Sequence, residues 1–500
     1  MPSRCDVIVV GGGNAALCAA LAAKDGGADV LVLERAPYEE RGGNSTFTAG
    51  AMRVAYRGVE DILELVPDLT PEQVANTDFG SYTEQQFFDD MARVTEYRTD
   101  PDLSYILAHR SFATLRWMSE KGVRFLPIYG RQAFQVDGKF TFWGGLTLEA
   151  LGGGLGLIDS LTKTVDHVGG EILYGARALS LVTEGQRVVG VRYMHEGNKQ
   201  TLAAGAVILA SGGFEANVEW RTRYLGPGWD LAKVRGTRFN TGDGIRMALE
   251  AGAMSWGNWS GGHAVAWDMN APPFGDLAVG DGFQKHSYPF GIMVNALGHR
   301  FVDEGADFRN YTYAKYGRII LEQPGQFAWQ IFDQKVTHLL RDEYRIRQAT
   351  KVRAGSLEEL AGKLDGVNAD TVLKTLEQYN AAVRQEIPFN PNVKDGRCTA
   401  GLAVDKTNWA NTLDSPPFEA YAVTCGITFT FGGLRINSEA EVIDSEGAPV
   451  AGLYAAGELV GGIFYFNYPG GTGLTSGSVF GRIAGTSAAA HTAHAAKEML

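Results

Sequence analysis

The sequence predicts an α/β protein: a Rossmann-like dinucleotide-binding domain in two segments, with an α+β cap domain inserted between them. Three observations predict it. A strand, glycine turn, helix, strand and acid follow one another over residues 6–34. The texture changes over 257–427, which carries Trp259, Trp267, the prolines at 272–273 and helical patterns at 356–364 and 369–385. Gly-rich strand patterns then return, at Gly452-Leu453-Tyr454-Ala455-Ala456-Gly457-Glu458, before a last helix from about 472 to 495. The expected boundaries are 1–256 plus 428–500 for the dinucleotide domain and 257–427 for the cap.

Asp6-Val7-Ile8-Val9-Val10 is apolar and β-branched, which suits a strand buried on both faces. Gly11-Gly12-Gly13 follows, then the Ala- and Leu-rich run from Asn14 to Ala23 at helical spacing, then Asp29–Leu33 as a second strand ending at Glu34. Gly11 permits the tight turn, Gly13 lets the helix N-terminus approach a pyrophosphate, and Ala16 keeps helix and strand close. Unpaired N–H groups and the helix dipole favour phosphate there. Glu34, 23 residues after Gly11, can accept from ribose hydroxyls. The motif alone does not choose between NAD and FAD.

A second Gly-rich loop covers 36–50, and helical spacing runs through 83–125. A helix is expected at 157–168. The short apolar runs at 171–174, 178–182 and 188–193, split by polar turns, predict a small antiparallel meander. Ala206–Ala210 is another buried strand, ending in Ser211-Gly212-Gly213.

Composition narrows the function. The formal net charge is −12 with no basic block, which excludes a nucleic-acid binder, so an anionic substrate must meet positive charge inside a cleft. No apolar stretch reaches the length of a membrane span, and the N-terminus enters a strand without a leader pattern. The four cysteines, Cys5, Cys18, Cys398 and Cys425, form no CxxC pair. Neither an iron–sulfur cluster nor a metal site is expected, and the usage fits a cytoplasmic protein.

Six motifs in order carry a resemblance that covers nearly the whole chain. They are Val10–Ala16, Gly42-Gly43-Asn44-Ser45, Ala210–Phe214, Gly298-His299-Arg300-Phe301-Val302-Asp303-Glu304, Gly432-Gly433-Leu434 and Leu453–Glu458. The chain resembles the flavoproteins of fumarate reductases and succinate dehydrogenases, a family that includes 3-ketosteroid Δ1-dehydrogenases and tricarballylate dehydrogenases. The runs 300–317 and 466–474 look most like the tricarballylate branch.

The resemblance implies FAD, bound noncovalently because no histidine stands in the 42–45 loop. It implies cofactor contacts from Gly11, Gly13, Asn14, Ala15, Ala16, Glu34, Arg35, Gly43, Asn44, Ser45, Ala178, Ser211, Gly212, Gly457, Glu458, Gly471, Leu474 and Ser476, with Glu458 on the ribityl hydroxyls. Arg309, one residue beyond the position at which reductases place a proton-transferring arginine, is the expected proton-transfer group or carboxylate anchor. Tyr468 and the N–H of Thr472 would polarise a substrate carbonyl, His263 would bind substrate, and Phe429 and Thr430 would line its site. Departures are equally informative. Tyr468 stands where reductases carry an arginine, and Gln284 and Ser287 stand near where they carry a proton-relay acid and base.

These residues predict a dehydrogenase of a CH–CH bond beside a carboxylate, of the tricarballylate to cis-aconitate type. The alternatives are an α,β-desaturase of a cyclic ketone or keto acid, and an electron-transferring subunit of a larger complex. The substrate is a small molecule; the acceptor is left open between a quinone and an iron–sulfur protein on another chain.

Overall fold

A computed structural model describes residues 4–498. Its larger sheet has eight strands, with Arg4–Val10 in the interior. That strand pairs in parallel with Val30–Leu33 on one side and with the end of the long strand Asn198–Leu209 on the other. The last strand, Pro449–Ala455, adds in parallel beside Val207–Leu209. The C-terminal segment therefore completes the N-terminal sheet.

The first helix, Asn14–Asp25, and the last, Thr472–Glu498, pack directly against each other and against this sheet. They approach at backbone distance. A Cβ on Gly481 would lie 2.4 Å from the Ala15 carbonyl oxygen, and one on Gly485 would lie 2.1 Å from that of Ala19. The Ala- and Gly-rich sequences of both helices are thus a packing requirement.

The meander differs from the expectation. Its strands are Arg177–Glu184, Arg187–His195 and Asn198–Leu209. Glu171–Leu173 instead pairs in parallel with Leu31–Leu33 at the opposite side of the sheet. Short apolar runs look alike to a pattern reading; the partner is chosen by the helix Gly153–His167, which carries the chain over the sheet.

The second sheet has six strands built on the 17-residue strand Phe418–Leu434. Its antiparallel partner Ser255–Asp268 runs beside it from Ser255↔Leu434 to Asp268↔Val423. The expected domain boundaries near 256 and 428 both fall inside this paired ribbon. Helices Leu357–Lys363 and Ala369–Ala382 pack on the cap sheet around Leu360, Val372 and Leu376.

Candidate active site

One cavity, with about 1600 Å³ of empty volume, runs from Glu34 and Arg35 at one end to His286 and Arg341 at the other. Its first half is made largely of backbone. Gly11 has φ +115°, and a Cβ there would lie 2.3 Å from the Ala210 carbonyl oxygen, so this turn admits only glycine. The first helix is capped by Gly13 with no side-chain acceptor, which leaves its N-terminus facing the cavity. Ser45 Oγ, also at the wall, accepts from the Asn14 N–H at 3.1 Å.

Glu34 accepts from the Ala36 N–H at 2.7 Å, and burial lifts its pKa to about 6 against the pull of its N–H donors. Arg35 is held by Thr241 and Asp243 at 2.6 and 3.1 Å. Asn44 spends its side chain inside the protein: it donates to Glu215 and to the Thr428 carbonyl, both at 2.6 Å, and accepts from the Thr237 N–H at 2.8 Å. Asn14 likewise donates to the Leu474 carbonyl at 2.9 Å and to Ser478 Oγ at 3.0 Å, tying the first helix to the last. Glu458 accepts from the Thr430 N–H at 2.8 Å. Burial and the neighbouring Glu215 carboxyl push Glu458 well above the ordinary carboxylate range, and burial raises Glu215 too; two carboxyls in contact hold one proton between them.

Of the sequence-predicted cofactor residues, Gly11, Gly13, Asn14, Ala15, Glu34, Arg35, Gly43, Asn44, Ser45, Ala178, Ser211, Gly212, Gly457, Glu458, Gly471 and Leu474 line the cavity. Ala16 and Ser476 lie buried behind the wall, as do Thr430 and Thr472 of the expected substrate set. The Ser211 hydroxyl, at the wall, is buried with no partner. An uncapped helix N-terminus, a buried acid beside it and an orphaned hydroxyl farther along fit an elongated dinucleotide with phosphates and ribose hydroxyls.

The second half is made of side chains. Four arginines reach it, Arg131, Arg235, Arg309 and Arg341, from four separate segments. Asp281 pairs with Arg235 at 2.6 Å and with Arg131 at 3.5 Å. Glu343 lies 3.0 Å from Arg341 Nε. Arg309 has no carboxylate partner among the described residues and donates to the Arg131 carbonyl. Burial, with Arg131 nearby, lowers the Arg309 pKa, and burial with Arg309 pushes Arg341 down to about 9.

His263 owes its aim to a break in strand register. The pairing of Ser255–Asp268 with Phe418–Leu434 shifts between His263 and Ala264, a bulge of the kind that redirects a side chain. Its ring sits 4.6 Å from that of Tyr468 and 4.9 Å from that of Tyr313, and both ring nitrogens are buried without partners. Burial and Arg235 hold it neutral, far below the ordinary histidine range. Tyr468 and Tyr313 share one hydroxyl–hydroxyl bond of 2.8 Å, which leaves one O–H proton of the pair for a ligand. Phe429 stands beside Tyr468, with ring centroids 6.3 Å apart.

The cavity thus gathers Arg309, Tyr468, His263 and Phe429 as the sequence predicts. Sequence reasoning missed Arg131, Arg235, Asp281, Tyr313 and Arg341. No local motif marks them; the one available signal is that Asp281 stands three residues before Gln284. Arg300 is a brace outside the cavity, bonded twice to Glu304, which accepts from the Met293 N–H at 2.7 Å. Among the described residues no cluster of His, Cys, Asp or Glu could hold a metal, and no helix is long and apolar enough to cross a membrane.

A Gly-turn dinucleotide groove opening onto a buried arginine–tyrosine–histidine chamber defines a flavoprotein oxidoreductase. The chain belongs to the FAD binding domain family, which it matches over residues 6–474, and it binds FAD and acts on CH–CH or C=C groups. It is 30% identical over 495 residues to a probable fumarate reductase, Ifc3, of Shewanella frigidimarina, covering 97% of this chain and 75% of that protein. It is 30% identical to the NADH:acrylate oxidoreductase of Vibrio harveyi over 537 residues, 97% of this chain but only 50% of that longer protein. Among solved structures, the open form of a flavocytochrome c3 fumarate reductase matches with a TM-score of 0.71 at 28% identity, covering 98% of this chain and 79% of that one. A 3-ketosteroid Δ1-dehydrogenase from Sterolibacterium denitrificans shares the fold, with a TM-score of 0.75 at 21% identity over 98% of this chain and all of that one.

Proposed function

We propose that this enzyme interconverts a polycarboxylate and its alkene, of the tricarballylate and cis-aconitate type, at a CH–CH bond beside a carboxylate. The observation that carries this reading is the charge count at the catalytic end. Four guanidinium groups face or border the space, with three carboxylates near them, Asp281, Glu343 and Glu149. The excess of buried positive charge, with Arg309 lacking a carboxylate partner among the described residues, favours an anionic ligand. The remaining polar groups of such a ligand meet neutral donors, the free proton of the Tyr313–Tyr468 pair and the open nitrogens of His263.

FAD, when bound, supplies the two-electron acceptor. Gly11, Gly13, Glu34, Ser45 and Ser211 hold its dinucleotide part, and Glu458 its ribityl chain. Arg309 removes or returns the proton, or grips the adjacent carboxylate. Tyr468 steadies the negative charge that develops on the carboxylate as the C–H bond breaks; the Thr472 N–H, expected from the sequence to share this role, is instead donated to the Pro469 carbonyl at 3.2 Å behind the cavity wall. The FAD is held without a covalent bond, and its electrons pass to a quinone or to an iron–sulfur protein on another chain.

A second reading is an α,β-desaturase of a cyclic ketone or keto acid. The observation favouring it is the aromatic lining: Phe429 and Phe464 flank Tyr468, with the Phe464 ring 5.2 Å away, a surface suited to an apolar ring. Anaerobic bleaching of the flavin by tricarballylate, succinate, a cyclic keto acid and a 3-ketosteroid tests both. Bleaching by tricarballylate supports the first reading; bleaching by the ketones alone replaces it with the second.

A further inference from the structure

The loop 128–134 runs from the strand Phe125–Pro127 to the short strand Gln135–Val136. It folds on itself. The Gly130 N–H donates to the Ala133 carbonyl at 3.1 Å, and the Gln132 N–H donates to the Ile128 carbonyl at 3.3 Å. Its far end is clasped to the cap: Asn392 accepts from the Phe134 N–H at 2.9 Å and donates to the Phe134 carbonyl at 2.6 Å. Its middle is tied to the catalytic end, because Arg309 donates to the Arg131 carbonyl. Held at both places, the loop presents Ile128, Arg131 and Gln132 to the main cavity.

Two of these side chains have unspent capacity. Among the described residues, the one close partner of the Arg131 guanidinium is Asp281 Oδ2 at 3.5 Å. That carboxylate is already committed: Oδ1 accepts from Arg235 at 2.6 and 2.9 Å, and Oδ2 accepts from Gln284. Glu149 and Glu343 act on Arg131 only through space. Gln132 is 1% exposed, and its Oε1 is buried with no donor. A half-turn of the amide puts Nε2 in that place, so Gln132 can offer a donor there as readily as an acceptor. Buried polar groups are normally paired, so an open amide and a loosely held guanidinium side by side on one loop mark a ligand position. Arg131 also stands at a boundary. It lines both the main cavity and a side chamber walled by Phe134, Phe290 and Trp409, whereas His263, Tyr313 and Tyr468 line only the main cavity. A group bound by Arg131 therefore lies toward the chamber, away from the tyrosine pair.

We propose that the loop 128–134 recognises the outlying carboxylate of the substrate, the one not attached to the reacting bond, with Arg131 pairing to it and Gln132 donating to one of its oxygens. The inference rests on the polycarboxylate reading and deepens it, because it names the residues that separate a tricarboxylate from a dicarboxylate. In tricarballylate two carboxylates sit on the reacting carbons and the third is one methylene farther away. Succinate has only the first two. A planar guanidinium fork beside an amide N–H matches a carboxylate with charge-assisted hydrogen bonds, which are strong where water is excluded. The loop takes no part in breaking C–H bonds, so it sets affinity rather than rate.

The test measures binding of tricarballylate and of succinate by calorimetry to FAD-loaded enzyme reduced beforehand with dithionite, so that these saturated acids bind without reacting. The parent should bind tricarballylate at least about tenfold more tightly than succinate. R131M should weaken tricarballylate about 100-fold, and R131K and Q132L about tenfold, with succinate changed less than about threefold. On oxidised enzyme, the bleaching rate at saturating tricarballylate should fall less than about tenfold while KM rises. Equal weakening of both acids, or a parent without preference, would overturn the proposal. Loss of FAD from R131K and Q132L would give the loop to the cofactor and overturn it too. Should R131M alone lose its FAD, R131K and Q132L carry the decision. The two readings fail separately. Tricarballylate that binds through Arg131 yet never bleaches the flavin removes the proposed reaction and leaves recognition by the loop standing.

Discussion

The two halves of the cavity are built on opposite principles. The cofactor half is mostly backbone: a glycine turn, an uncapped helix N-terminus and a few polar side chains already bonded within the protein, such as Asn14, Asn44 and Arg35. The catalytic half is mostly charged and aromatic side chains from distant segments, several with unspent hydrogen-bonding capacity, such as His263 and Glu343. The first is finished before any ligand arrives. The second holds polar groups whose partners have yet to come, and buried orphans of that kind mark where chemistry happens. The halves should therefore be separable by mutation.

The largest effect is expected from G11V. A side chain there is strained by the positive φ and would meet the Ala210 carbonyl at 2.3 Å from its first carbon. Strain plus clash costs about 3 kcal/mol or more, on the order of a 100-fold loss of FAD affinity. The 450 nm absorbance of the purified protein reads this directly. R309Q should do the reverse. It should keep its FAD while kcat/KM falls by about 10²–10⁴. Loss of FAD from R309Q would join the two halves and undo the comparison.

The same contrast explains what was legible in the sequence. The cofactor half could be read because its physics is local: the turn, the helix start and the acid lie within residues 11–34. The last strand and last helix were readable from apolar and small-residue periodicity. At the catalytic end, Arg309 and Tyr468 came from motif resemblance. Arg235 and Asp281 pair over 46 positions, and Arg341 meets Ser287 over 54, with nothing in either local sequence to announce the partner. His263 was found, but not the strand bulge that aims it. Glu171–Leu173 was placed in the wrong neighbourhood for the same reason: a short apolar run specifies a strand, not its partner.

A pH titration sharpens the comparison further. Glu34 has its pKa raised to about 6 by burial, and it accepts best from a ribose hydroxyl as the carboxylate. Below that value, binding FAD must first remove a proton. FAD affinity should therefore rise as pH goes from about 5 to 6 and level off above about 7, with a limiting slope of about tenfold per pH unit on the acid side. Equilibrium binding to apoenzyme measures it. E34Q should flatten this dependence, whereas R309Q should leave it intact.

The smallest effect belongs to a site outside both halves. Thr83 caps the helix Glu84–Val94, accepting from the Gln86 N–H at 3.2 Å while Gln86 accepts from the Thr83 N–H at 2.7 Å. T83A removes one half of this reciprocal pair at an exposed helix start, which costs about 1 kcal/mol. Thermal unfolding followed by circular dichroism should shift by a few degrees. FAD content and bleaching rate should stay at parental values, because the helix buries Phe87 and Met91 away from the cavity. A change in bleaching rate with FAD content preserved would instead couple this helix to the catalytic half. The candidate path is Asp90, on the same helix, which accepts from the Tyr311 hydroxyl at 2.6 Å two residues from Arg309. The cap variant thus measures whether the catalytic half is held by its own residues or by the shell behind them.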